Sequence, residues 1–146
     1  MPEPARIVPS LDGLSRAFWT GGSRGELMLS HCQACQYWIH PPKPLCPRCH
    51  ERDLRWEPTS GVATLFSYTV NFKAWNPKVP VPYVLGIVEL PEQAGLRLTT
   101  NIVNCSVDDI EIGMRLRVNF EQHGEVFVPL FEPAASVERL RTESAG

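Results

Sequence analysis

Two Cys-x-x-Cys pairs, Cys32-Gln-Ala-Cys35 and Cys46-Pro-Arg-Cys49, stand ten residues apart. In each pair the sulfurs bracket a tight turn and can be aimed at one ion. Two such knuckles supply the four tetrahedral thiolates that zinc takes at about 2.3 Å. Four thiolates leave no open position for a water, so the chemistry expected is that of a structural staple and not of a catalytic zinc. Iron held in the rubredoxin manner uses the same four sulfurs, and the spacing does not separate the two metals. Two disulfides would need an oxidising compartment, and residues 1–10 lack the basic start and apolar stretch of a secretory leader. A thioredoxin-like redox pair comes as one motif rather than two facing knuckles. His31, His40 and His50 lie close by and, with four cysteines at hand, read as neighbours of the site rather than ligands. The fifth cysteine, Cys105, stands alone at an expected strand end and reads as a small packing residue.

Other residues able to do chemistry are scattered. Nucleophilic catalysis needs a Cys or Ser with a base and an orienting group, and Cys105 has no such motif around it. Asp108, Asp109 and Glu111 read as a helix cap and solvated charge. Gly21-Gly22 ends a helix rather than opening one, so it is not a phosphate loop. His123 is expected at a hairpin tip, in solvent.

The elements that must position the cysteines follow from the pattern around them. The thirty residues from 27 to 56 are too few to bury a core of their own. A bound metal, worth on the order of 10–16 kcal/mol, would substitute for one. Within this ribbon, residues 37–39 read as a strand and Pro41, Pro42 and Pro44 as its return. Ahead of it, Ser10 is expected to cap a short helix with Leu11, Leu14 and Phe18 on one face and Gly21-Gly22 at its end. Trp56 and Pro58 mark a joint. Beyond it, Val62, Thr64, Phe66, Tyr68, Val70 and Phe72 alternate with smaller or more polar neighbours, a period of two that predicts a strand with these residues on one face. Further strands are expected at 83–90, 96–102, 116–120 and 126–131. Ser106 and Asp109 make a capping-box-like start to one helical turn, closed by Gly113. Five strands with a helical turn between the third and fourth is the plan of an OB-fold barrel; an SH3-like barrel is the rival. The fold expected is therefore mainly β: a helical segment at 1–26, a zinc ribbon at 27–57, an OB-fold at 58–133 and a flexible tail at 134–146.

Composition narrows the function classes. The chain has 146 residues, 43% hydrophobic and 21% charged, with a formal net charge of −2, which is ordinary for a soluble globular protein. No apolar run approaches the roughly 18 residues of a membrane span, and a cytoplasmic location is expected. Residues 27–57 carry four Lys/Arg against three Asp/Glu, and residues 58–132 five against eight. A surface built to grip a phosphate backbone would be basic, so nucleic acid is disfavoured as a partner.

Beyond the quartet itself, the order of parts resembles a known family. A short helix is followed by Gly25-Glu26-Leu27, the four-cysteine ribbon with its proline-rich return, Trp56, Gly61 and the barrel. The run Asp108-Asp109-Ile110-Glu111-Ile112-Gly113-Met114 and the terminal Pro129-Leu130-Phe131-Glu132-Pro133 complete the pattern. Over about residues 11–133 this is similar to the OB-fold proteins with an N-terminal rubredoxin-like zinc ribbon, a domain-of-unknown-function family described as acyl-CoA-associated. All four metal positions match. The resemblance implies a small non-catalytic subunit beside a partner enzyme: a thiolase-fold acyltransferase, a steroid side-chain aldolase or a hotdog-fold hydratase.

Two readings of function follow. In the first, the chain is an accessory or scaffolding subunit for a thiolase-like or related enzyme. Acyl-CoA contacts would come from Lys43, Arg48, Arg52 and Lys73 near the ribbon–barrel joint, although each is also read as ordinary solvated surface. Phe18, Trp19, Trp75 and the loop 76–82 would face the partner. In the second, the chain is a single-strand nucleic-acid binder with Phe66, Tyr68 and Phe72 as stacking platform. An aromatic stripe on one strand face is more often core, and the barrel is acidic, so the first reading is preferred.

Overall fold

The computed structural model describes residues 6–134. Strands β1 (Met28–Cys32), β2 (Trp38–Ile39) and β3 (Leu54–Pro58) form an antiparallel sheet in the order β2-β1-β3. The expected strand at 37–39 is present. β3 lies where the sequence marked only a joint, and its residues pair with β1 from Met28↔Pro58 to Cys32↔Leu54. With a neighbour on each side, β1 is buried along its whole length.

Strands β4 (Val62–Asn71), β5 (Tyr83–Glu89), β6 (Arg97–Ile102), β7 (Arg115–His123) and β8 (Val126–Pro133) close into a barrel in the order β4-β5-β6-β8-β7. One parallel pairing, Ile102↔Phe131, completes the closure, and a 3-10 turn at Val107–Asp109 separates β6 from β7. This is the OB plan and not the SH3-like one. Ser106 caps that turn by accepting from the Asp108 amide at 3.4 Å, one residue earlier than a capping box requires. Of the expected tail, Ala134 is the last described residue and 135–146 lie outside the described residues.

The ribbon and the barrel share a core. Leu27 and Leu29 beside and on β1 pack with Leu65, Val88, Leu116 and Phe131 of the barrel, and Trp38 and Trp56 lie against the same cluster. Hydrogen bonds fix the joint. The Gln93 side chain, in the β5–β6 turn, accepts from the Trp38 amide at 2.9 Å and donates to the Trp38 carbonyl at 3.1 Å. Thr59 donates to the Leu27 carbonyl through both its amide and its hydroxyl.

Three expectations are corrected by the packing. The N-terminal helix is only α1 (Arg16–Thr20), flanked by 3-10 turns at Gly13–Ser15 and Gly21–Arg24. Ser10 does not cap it; its hydroxyl is engaged with the Asp12 carboxylate and amide. Gly21 caps the C-terminus of α1, as expected, but a 3-10 turn carries the chain on to Gly25, with φ of 70°. Gly22 serves close approach instead, since a Cβ there would come within 2.3 Å of Phe127. Phe18 is not exposed as expected: it is buried in the shared core, and Trp19, half-buried, packs against it.

The third correction concerns the aromatic stripe of β4. The register shifts at Phe66, with Leu65 opposite Val88 and Ser67 opposite Ile87. This bulge leaves Phe66 unpaired and reverses the alternation beyond it. Leu65 points inward with Val88, while Tyr68 and Val70 share the face of their partners Gly86 and Val84. Phe66, Tyr68 and Phe72 are 46%, 38% and 70% exposed, so the stripe is neither core nor a single stacking platform.

Candidate metal centre and surrounding surfaces

The two knuckles repeat one backbone pattern. Cys32 N donates to Tyr37 O and Cys46 N to Glu51 O, while Gln36 N returns to Cys32 O and His50 N to Cys46 O. The turn residues Gln36 and His50 both have φ of 65°, the left-handed conformation that closes such a turn. The four sulfurs converge within 4.8 Å of one another. Cys32–Cys49 and Cys35–Cys46 stand at 3.6 Å, too far for an S–S bond of about 2.05 Å. Ligands at about 2.3 Å around a tetrahedral ion lie about 3.8 Å apart, so the donor set fits a four-thiolate metal.

The crowded sulfurs perturb one another's ionisation. At Cys49 the Glu51 backbone pulls the pKa down, but burial and the neighbouring sulfurs outweigh it and push it up to about 12. At Cys46 burial acts upward, but the Cys49 and Arg48 backbone hydrogen bonds bring the thiol down to about 7. A cation resolves this conflict because it lets all four ionise together.

The nearby histidines have other work. His31 is 9% exposed, with Nδ1 2.6 Å from Glu57 and Nε2 3.1 Å from the Gln36 carbonyl. Its ring stacks on Trp38 at 4.0 Å. It thereby ties β3 to the first knuckle, and its hydrogen bond lowers the Glu57 pKa. His40 packs on Phe18 at 5.1 Å; burial lowers its pKa and its Nδ1 is buried without a hydrogen-bond partner. His50 is exposed. The Glu57 and Gln93 contacts lacked a sequence signal because their partners lie 26 and 55 residues away.

The four named cations do not form one cluster. Lys43, Arg48 and Arg52 are exposed on the ribbon, with Arg48 5.9 Å from the Tyr37 ring centre. Lys73 is elsewhere. The β5–β6 turn that meets the ribbon adjoins the Thr64↔Glu89 end of the β4–β5 ladder, and Lys73 follows the Asn71↔Tyr83 end. At about 3.3 Å per residue the two ends are roughly 20 Å apart.

The outer face of β5 and β6, where OB-folds take ligands, carries a cleft of about 770 Å³ between the 76–82 loop and the end of β7. A second cleft of about 450 Å³ shares Arg6, Ile7, Leu85 and Asn101 with it. Arg6 bridges this face, donating to Glu121 at 2.7 Å and Asn101 at 3.0 Å. His123 is the last residue of β7, half-buried and 2.7 Å from Glu121, not a solvated tip. Cys105 lines the same cleft, but its thiol donates to the Ser106 carbonyl at 3.4 Å. Burial, reinforced by Asp109, raises its pKa. A protonated thiol spent on a carbonyl is not an activated nucleophile.

This geometry defines a class: a four-thiolate ribbon packed on a closed OB barrel. Comparison with known proteins places it further. Residues 19–55 match the family model for the ChsH2 rubredoxin-like zinc ribbon domain, and residues 56–121 the model for the ChsH2 C-terminal OB-fold domain. The chain belongs to this ChsH2/DUF35 family. It is 37% identical to a DUF35 domain-containing scaffold protein of Methanothermobacter thermautotrophicus, over 68% of this chain and 74% of the relative. It is 35% identical to a probable enoyl-CoA hydratase alpha subunit of Thermomonospora curvata, over 94% of this chain but 43% of that protein, so it spans less than half the length of that subunit. Among solved structures it resembles the Ltp2-ChsH2(DUF35) aldolase with a TM-score of 0.75 and 34% identity, covering 86% of this chain and 98% of the other. No helix among the described residues is long and apolar enough to cross a membrane.

Proposed function

We propose that this chain is a non-catalytic scaffold subunit, held rigid by a structural zinc, that docks an enzyme acting on acyl-CoA thioesters. That enzyme is thiolase-like, or a hydratase or aldolase of related substrate. The observation that carries the reading is the match to one component of an aldolase named for two, of which this chain covers 98%. The scaffold and hydratase-subunit names of other relatives support it. The chain's own chemistry agrees: its one cluster among the described residues with ligands placed to hold a metal is a thiolate quartet that leaves no open position, and Cys105 is not activated. Where CoA phosphates reach this chain, they would meet Lys43, Arg48 and Arg52 on the ribbon.

The test is recovery of the tagged full chain from its native host. A thiolase-like, hydratase or aldolase chain should co-purify in stoichiometric amount, and the isolated chain should not turn over acyl-CoA. Recovery without any such enzyme would refute the scaffold role. Elemental analysis should give one zinc per chain; one iron, with the visible absorption of a ferric tetrathiolate, would refute the metal assignment.

A further inference from the structure

The groove over β5 and β6 is partly filled by the chain itself. Arg6 and Ile7 line both of its clefts, together with Leu85 and Asn101. Arg6 is tied by its head group: its Nε donates to Glu121 Oε1 at 2.7 Å and its Nη1 to Asn101 Oδ1 at 3.0 Å. One planar guanidinium fork thus bridges acceptors on β7 and β6, a geometry that selects arginine over the point charge of a lysine. The acceptors are held from behind. The Asn101 Nδ2 donates to the Val84 carbonyl at 3.1 Å, leaving Oδ1 for the guanidinium, and His123 Nε2 lies 2.7 Å from the same Glu121 oxygen. At Glu121 burial acts upward, but the His123 and Arg6 hydrogen bonds outweigh it and keep the carboxyl below its ordinary pKa.

The apolar part of the groove is left open. Ile7 is 91% exposed, and beside it Pro80, Pro82 and Leu85 stay exposed along the cleft of about 770 Å³. The segment then leaves the groove, with Val8 and Leu11 packing on Val126, Val128 and Leu130 of β8. The Arg6–Glu121 pair is itself partly exposed, at 31% and 39%, and such a pair is weak enough to exchange. Charge agrees with a cationic occupant. Apart from Arg6, the charged or titratable side chains of the lining are Glu121, His123 and Cys105, whose thiol stays protonated. Asp108 and Asp109 follow Val107 of the lining, and Glu132 is hydrogen-bonded to Asn104 of the lining. Of the lysines nearby, Lys73 lies 4.1 Å from the Trp75 ring centre and Lys78 has a partner of its own. Without Arg6 the site is acidic.

We infer that this groove is a docking surface for the enzyme partner, that it takes an extended segment carrying an arginine beside an aliphatic residue, and that Arg6 holds the arginine position until that segment displaces it. This rests on the scaffold reading above and adds which surface makes the contact and what the partner offers to it.

The test places p-benzoylphenylalanine at Leu85 in the full chain, expressed in the native host. A matched chain carries the same photoprobe at Ile112, which is 68% exposed and precedes Arg115, the end of β7 opposite Glu121 and His123. Irradiation should link position 85, and not 112, to an acyl-CoA enzyme chain, through a peptide with arginine next to an aliphatic residue. With that enzyme purified, the two ends of the internal bond should act with opposite sign. Arg6→Ala removes the competitor and should tighten binding about threefold. Glu121→Gln removes the anchor and should weaken binding about tenfold. Both variants should keep their metal and their far-ultraviolet dichroism. Weaker or unchanged binding in Arg6→Ala means that the Arg6–Glu121 pair only supports the fold, and overturns the proposal. Linkage from 112 alone overturns it likewise, as does linkage of position 85 only to its own residues 6–9, to lipid or to a second copy of this chain. Each of these leaves the scaffold reading standing. Absence of any co-purifying enzyme overturns both.

Discussion

Sulfur spacing makes the quartet all-or-none. Removing one thiolate by Cys46→Ser leaves three ligands around a site whose geometry is matched to four at 3.6 Å separations. The variant should lose bound metal and the order of the ribbon, costing several kcal/mol of the roughly 10–16 that such a site supplies; elemental analysis and circular dichroism read both. Cys105→Ser should keep its metal. His40 gives a pH signature. Its folded-state pKa is lowered by burial, so below the ordinary histidine value of about 6.5 the unfolded chain binds more protons. Stability should be flat above that pH and fall as pH drops below it. Urea titrations at pH 7 and pH 5.5 should show a smaller drop for His40→Leu than for the wild type, and an unchanged drop would contradict the burial argument. The cysteines were legible because residue type and spacing alone specify them. The left-handed turns at Gln36 and His50 were not, because no glycine marks them. The His31–Glu57 pair was not, because it joins segments that only the fold brings together.

Strand existence was legible for the barrel because alternation survives averaging over several residues, but the facing of β4 was not. A bulge inserts one residue without changing the composition around it, so Phe66, Tyr68 and Phe72 look like one stripe in the sequence and are not one in space. The N-terminal helix misled for the opposite reason. Ser10, Leu14 and the glycine pair give strong local signals, yet the segment is shaped by what it packs on. Gly22 sits against Phe127 and Phe120, holding the 3-10 turn to β7 and β8. Gly22→Ala must push its Cβ into a contact of 2.3 Å with Phe127. It should cost about 1–3 kcal/mol by overpacking, measured by chemical denaturation. Gly25→Ala has open space for its Cβ but a φ of 70°, and should cost about 1 kcal/mol from backbone conformation alone.

The molecule as a whole is more coupled than a ribbon tethered to a barrel. The sequence shows the two modules, but β3 and the Gln93–Trp38 contact that join them depend on pairings across long loops. Leu29 is 0% exposed on the ribbon's central strand and belongs to the same cluster as Leu116 and Phe131 of the barrel. Truncation at Leu29→Ala should cost about 2–5 kcal/mol, and the barrel should feel it. The metal should act over the same route. The ion fixes the knuckles, the knuckles fix β1, and β1 carries Leu29 into the shared core, so stripping the metal removes one wall of that core rather than loosening an appendage. The expected outcome is a single thermal transition in the holo protein that moves to lower temperature on chelation, with tryptophan fluorescence and far-ultraviolet dichroism shifting together. Gln93→Ala removes both bonds to the Trp38 backbone, which should cost about 1–3 kcal/mol and partly separate the two signals on chelation. Should chelation leave the barrel transition where it was in the wild type, the ribbon and barrel would be independent modules, and the chain would owe its rigidity to the barrel alone.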